Sequence, residues 1–230
     1  MLGKLGATNI QPSQFKPNHN EGLVDWWFSY LGALVLWNDS KTDYNCSGSE
    51  IDIHAVGGGV TGQISVYSKV KVRAEDGTTT VSSLEAPAID ISSEGGDIEL
   101  NGIKIANSIL GEAVKLRSKS GDIRLKKRTL GDVMALTHGN VTAGTVQSLK
   151  IDIRGNNVQL ESAYAGSGII RAHNDIKLKN LNGDFDVEAG GDVMIDGCDG
   201  TLELVAKNEV NVHLDSSVKR AHIKGFKKIN

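Results

Sequence analysis

Aromatic side chains are scarce in this 230-residue chain: they form 5% of it, and no tryptophan follows Trp37. Enzymes that cleave polysaccharides on elongated β folds use aromatic platforms beside clustered carboxylates, so this scarcity argues against that activity. Cysteine is sparser still. Cys46 and Cys198 lie far apart, give no metal-ligand spacing and fix no redox compartment. Serine hydrolase, P-loop and HExxH motifs are missing, so no catalytic residue is assigned, and neither a cofactor nor a small-molecule substrate is expected. No charge dominates either: the net charge is −3, which makes no global electrostatic case for nucleic acid or membrane. The exception is local. Residues 215–230 set Lys219, Arg220, Lys224, Lys227 and Lys228 against Asp215 alone, a sum of +4 that leaves −7 for the remainder.

What the chain does have is 27 glycines among many valines, isoleucines, aspartates and asparagines, the composition of short strands joined by turns. The fragments GGDIEL (95–100), SGDIRL (120–125), HGNVTA (138–143), NNVQL (156–160), NDIKL (174–178) and GGDVMI (190–195) recur. Each sets a turn pair before an apolar-polar-apolar triplet. Aligned, they give a first column of Val60, Thr79, Ile98, Ile123, Val141, Val158, Ile176, Val193 and Val210. A second column precedes it: Ile53, Val72, Ile91, Leu116, Leu136, Ile153, Ile170, Val187 and Leu204, whose last steps are all 17 residues. A third follows at Leu84, Ile103, Val146, Ala163, Leu181 and Cys198.

A unit of about 17 residues cannot bury its own apolar face, whereas stacked units share one continuous core. The spacing therefore predicts an all-β fold: a parallel β-solenoid, or single-stranded β-helix, of about nine 17–19-residue coils over residues 50–214. An antiparallel sandwich also has many short strands, but it does not produce equal steps of 17. Between Ile98 and Leu116 the spacing lengthens, placing an insertion in KIANSILGEA (104–113).

The SGDI, GGDV and NGDF signatures with their apolar triplets resemble a family of β-solenoid domains named as adhesins by analogy with bacterial surface proteins. The resemblance covers about residues 50–214. It implies the solenoid fold, no catalytic motif, and either a bacterial envelope setting or, from its eukaryotic members, a mitochondrial one.

Four candidate features remain. The residue before each first-column position runs Asp97, Asp122, Asn140, Asn157, Asp175, Asp192, Glu209. Without a GGxGxDxUx nonapeptide these read as Asx turns rather than a calcium site, and no metal is assigned. His138 and His173 fall two coils apart, about 9.6 Å at the strand spacing, too far to share a metal. Cys198, in an apolar column, reads as a small buried side chain, with no disulfide to Cys46. The stretch KLRSKSGDIRLKKR (115–128) sets Lys115, Arg117, Lys119, Arg124, Lys126, Lys127 and Arg128 against Asp122, a basic belt able to seat an anionic partner surface. Nucleic acid is disfavoured, since no aromatics interleave for base stacking.

The N-terminal segment LVDWWFSYLGALVLW (23–37) holds all three tryptophans. It reads as an apolar helix over 23–38 after an extended arm over 1–22, too short for a bilayer span of about 20 residues and lacking a signal-peptide cleavage site. Trp26, Trp27, Phe28, Tyr30 and Trp37 are its candidate docking residues, toward other protein subunits or a membrane surface. Residues 215–230 read as a basic tail that blunts the open sheet edge. The expected function is a non-catalytic scaffolding subunit of a larger complex, membrane-associated and mitochondrial. A surface or envelope adhesin is the alternative, and a polysaccharide-acting enzyme stands third.

Overall fold

The computed structural model describes residues 51–229 apart from 57, 67–68 and 105–113, preceded by three strands, Phe15–Pro17, Leu34–Trp37 and Thr42–Gly48. All described strands belong to one sheet that winds upon itself. Pairing is parallel throughout, except that Phe15–Pro17 runs antiparallel against Tyr44–Cys46. No helix occurs among the described residues.

The recurring triplets explain this geometry. Strand side chains alternate sides, so each triplet sends two residues inward and one outward, and the turn pair redirects the chain. The nine residues of the first column, Val60 to Val210, pair one to the next up the stack. In the third column Ile64, Leu84, Ile103, Thr129, Val146, Ala163, Leu181 and Cys198 do the same. The second column runs Leu34, Ile53, Val72, Ile91, Leu116, Ala135, Ile153, Ile170, Val187, Leu204 and Ile223. The result is a parallel β-solenoid of about nine turns.

Three details differ from the sequence expectation. The second column passes through Ala135 rather than Leu136, because Val133 and Ala135 are buried while Leu136 points to the partly exposed side. Leu34–Trp37, expected as the end of a helix, is a strand paired with Ile53–Val56. The rest of that segment, with Trp26, Trp27, Phe28 and Tyr30, lies outside the described residues, as do residues 105–113 of the expected 104–113 insertion. Residues 220–229, expected within a tail, form a ten-residue strand on the preceding coil. Alternation outweighs charge there, since Ala221 and Ile223 continue the two inward columns of Leu202 and Leu204.

The core is a column of aliphatic side chains: Ile91, Leu116, Ile123, Ile153, Ile170 and Val187 are fully buried. Phe185 is its only aromatic member among the described residues. Room for the ring comes from Gly168 in the adjoining coil, where an added Cβ would fall 2.2 Å from Phe185 Cε1. Thr79 is the polar exception in the first column. It is fully buried, and its Oγ1 has no hydrogen-bond partner. Thr79→Val keeps the shape and removes the unpaired hydroxyl, so it should raise stability by about 1 kcal/mol. Denaturant titration of the two proteins measures this.

Candidate functional site

The corner between second and first columns is held by ladders that run along the stack. Ser118 Oγ donates to the Gly96 carbonyl at 3.0 Å and accepts from the Gly121 amide at 2.9 Å. Thr137 repeats the pattern one coil on, donating to the Gly121 carbonyl and accepting from the Gly139 amide. The Asx column is a second ladder. Asp97 Oδ1 accepts the Asp122 amide at 2.8 Å, Asp122 Oδ1 the Asn140 amide at 2.8 Å, and Asn157 Oδ1 the Asp175 amide at 3.2 Å. Asp175 and Asp192 accept the next amides in turn. The expected stacking of the Asx column along the coils is present, but these acceptor oxygens take the amide of the neighbouring coil where bonds to their own turn were expected. Among the described residues no group of three or more His, Cys, Asp or Glu side chains could hold a metal ion.

The basic belt lies on the coil next to an acidic one, and four of its seven cations pair with carboxylates of that coil. Arg117 pairs with Asp90 at 3.3 Å, Lys119 with Glu94 at 3.2 Å, and Lys126 with Glu99. Arg124 bridges Asp97 at 2.5 Å and Asp122 at 2.6 Å, while Arg128 donates to Gln147. Lys115 is also engaged. Arg128 thus meets only a neutral amide, and Lys127 has neither an ion pair nor a side-chain hydrogen bond among the described residues. Such exposed pairs contribute about 0–1 kcal/mol each, so the belt's charge is spent mainly on coil-to-coil register.

Asp97 carries the pH dependence of this corner. Burial works to raise its pKa, but the Arg124 hydrogen bond, the Asp122 amide and the Arg124 charge together hold it below its ordinary 3.8. A depressed carboxylate stabilises the fold at pH above its unfolded value, and that contribution is lost as pH falls through the folded one. Asp97→Asn should therefore flatten the fall in stability below about pH 4. Thermal melts between pH 2 and pH 7, roughly the range of carboxylate titration, check it.

A groove of about 570 Å³ lies on the second-column face. It spans five consecutive coils. Outward residues Met134, Asp152, Ile169, Asp186 and Glu203 follow one another along it in register. Asp132, Lys150 and Asp184 edge it at the corner, and Phe185 underlies it. Asp132 is buried, and its Oδ1 accepts the Leu149 and Lys150 amides, both at 2.9 Å. Those two bonds fix the bend from which Leu149 projects, 63% exposed. Asp152 pairs with Arg154 at 2.8 Å, and Asp186 with Arg171 at 3.5 Å. Asp184 and Glu203 are exposed and have no partner among the described residues.

The remaining candidates are dispersed. His138 Nδ1 lies 2.9 Å from the Lys119 carbonyl, and His173 is exposed. Cys198 is a fully buried free thiol; burial first, then Asp215 and Asp199, pushes its pKa up to about 11. Cys46 pairs with Ile64 in the backbone register of the same column, so the two cysteines stand at opposite ends of it. Trp37 is described only as the end of a strand. The groove was missed by sequence reading, since each coil contributes only a few of its residues.

Continuous in-register columns, corner ladders and one shallow face define a parallel β-solenoid repeat protein. The family model described as Toastrack DUF4097 matches residues 49–225, and the chain belongs to that family. It is a family of unknown function, so the match supports the solenoid expectation and gives the adhesin name no support. No match to this chain was found among curated proteins or solved structures.

Proposed function

We propose that this protein is a non-catalytic scaffolding subunit that holds other proteins along the faces of its solenoid. The observation that carries this reading is how the polar groups of the corner are used. Its described Asp, Asn, Ser and Thr side chains bind adjacent coils, a use suited to building a rigid rod. What such a rod offers is long surface, the usual asset of solenoids in binding. The finer setting, a mitochondrial membrane-associated complex, is part of the proposal and comes from the family resemblance. Trp26, Trp27, Phe28 and Tyr30 then supply an apolar attachment to a subunit or a bilayer surface.

Native purification with crosslinking tests the reading. A stable stoichiometric partner is the expected result, and a lone monomer that ignores membranes overturns it. Removing residues 1–33 leaves the strand Leu34–Trp37 in place, so the truncated chain should stay β-rich while losing the attachment.

A further inference from the structure

We propose that the groove over Met134, Ile169 and Phe185 is a docking site for a basic amphipathic helix of a partner protein. This rests on the scaffolding reading and names the partner's chemistry. The floor is apolar: Met134 and Ile169 are half-buried at outward positions, where the neighbouring places in the column are acidic. Around that floor the charge is one-sided. Asp132, Asp152, Asp184, Asp186 and Glu203 line the groove against Lys150. Adding the neighbours Arg154, Arg171 and Glu188 still leaves six carboxylates facing three cations. Asp184 and Glu203 are the two carboxylates of the groove that no described cation or amide engages, and they stand beside the floor.

The length favours a helix. Four coil spacings separate Met134 from Glu203, about 19 Å, which about 13 residues of helix would span. One helical turn rises ~5.4 Å against a coil spacing of ~4.8 Å, so each turn meets roughly one coil. Aliphatic residues of one helix face would lie on Met134 and Ile169, while flanking Lys or Arg reach Asp184 and Glu203, the usual pattern of a helix in a groove. Anionic lipid is the wrong partner for a surface of this sign.

The test uses the full chain and the labelled peptide KLLKKLLKKLLKKL, with ELLEELLEELLEEL as its charge-reversed twin, read by fluorescence anisotropy. The basic peptide should bind saturably and the acidic one should not. Asp184→Lys with Glu203→Lys should weaken binding at least about tenfold, since two charge pairs become two repulsions. Circular dichroism should show that variant folded, because neither side chain joins a ladder. Lys127→Glu, away from the groove, should bind like the parent. Equal binding of both peptides, or unchanged affinity in the double variant, overturns the proposal. A photocrosslinker at position 169 separates this from the scaffolding reading. A partner captured in the native complex but never through position 169 overturns the groove alone. If no partner is captured by either route, the scaffolding reading falls and the peptide titration decides the groove.

Discussion

Phe185→Ala should lower the unfolding free energy by about 3–5 kcal/mol, the range for removing a buried aromatic ring from a core that cannot fully collapse. Collapse is limited here because the ring fills space left by a glycine. Gly168 has no side chain to move into the void, and its backbone is held in the ladder between Ile151 and Phe185. The reverse substitution is informative too. In Gly168→Ala the new methyl would fall 2.2 and 2.4 Å from ring carbons, so the ring must shift, at a cost of about 1–3 kcal/mol. Combining Gly168→Ala with Phe185→Leu should cost less than the sum of the two single changes, because the smaller side chain frees the methyl's space. Chemical denaturation gives the energies, and hydrogen exchange should place the loss in the coils around residues 168 and 202.

Gly121→Ala is the second large effect. A Cβ there would lie 2.3 Å from the Gly96 carbonyl oxygen and 2.4 Å from its carbon, both backbone atoms of the coil before. No side-chain rotation relieves that contact, so the coils must part locally. Parting them strains the Ser118 bond to the Gly96 carbonyl and the Asp122 amide bond to Asp97. A loss of about 1–3 kcal/mol from overpacking, enlarged by weakened corner bonds, is expected. Gly102→Ala is the matched control, since its Cβ would meet nothing within 4 Å. It should fall within about 0.5 kcal/mol of the parent. Thermal melts of both variants decide whether close coil contact, rather than loss of glycine as such, is what matters.

Much of the fold was legible in the sequence because the solenoid turns spatial neighbours into a fixed sequence period. All nine first-column residues stand in register, and the period alone located them. Reading failed where size and alternation disagreed. Leu136 is the larger apolar residue, yet Ala135 keeps phase with Val133 and so takes the inward place. Thr129 was passed over in the third column because it is polar, although it is buried there between Ile103 and Val146. Residues 220–229 were read as a tail because their lysines outshone Ala221 and Ile223, which stand in register with Leu202 and Leu204.

The candidate surfaces were less legible. The basic belt is contiguous in sequence and so was easily seen, while its acidic partners lie 25 to 27 residues earlier. The groove draws on five coils, and no short window contains both its apolar floor and its unpaired carboxylates. One-dimensional charge runs therefore overstated a surface whose charge the fold partly pairs off and missed one that the fold assembles.

The junction of acidic and basic coils bears on how the chain reaches its native order. Backbone ladders alone make the coils nearly interchangeable, so a folding chain could add a coil onto the wrong neighbour and leave one looped out. Asp90, Glu94, Asp97 and Glu99 meet their opposite charges only when the coil bearing Arg117, Lys119, Arg124 and Lys126 is laid directly upon them. Skipping that coil would bring the acidic set against Met134 and Leu136 on one side and Thr142 on another, with none of those cations to meet. Each pair is weak in the finished rod, but together they favour this order of stacking beside the 104–113 stretch, where the sequence period itself gives the least guidance.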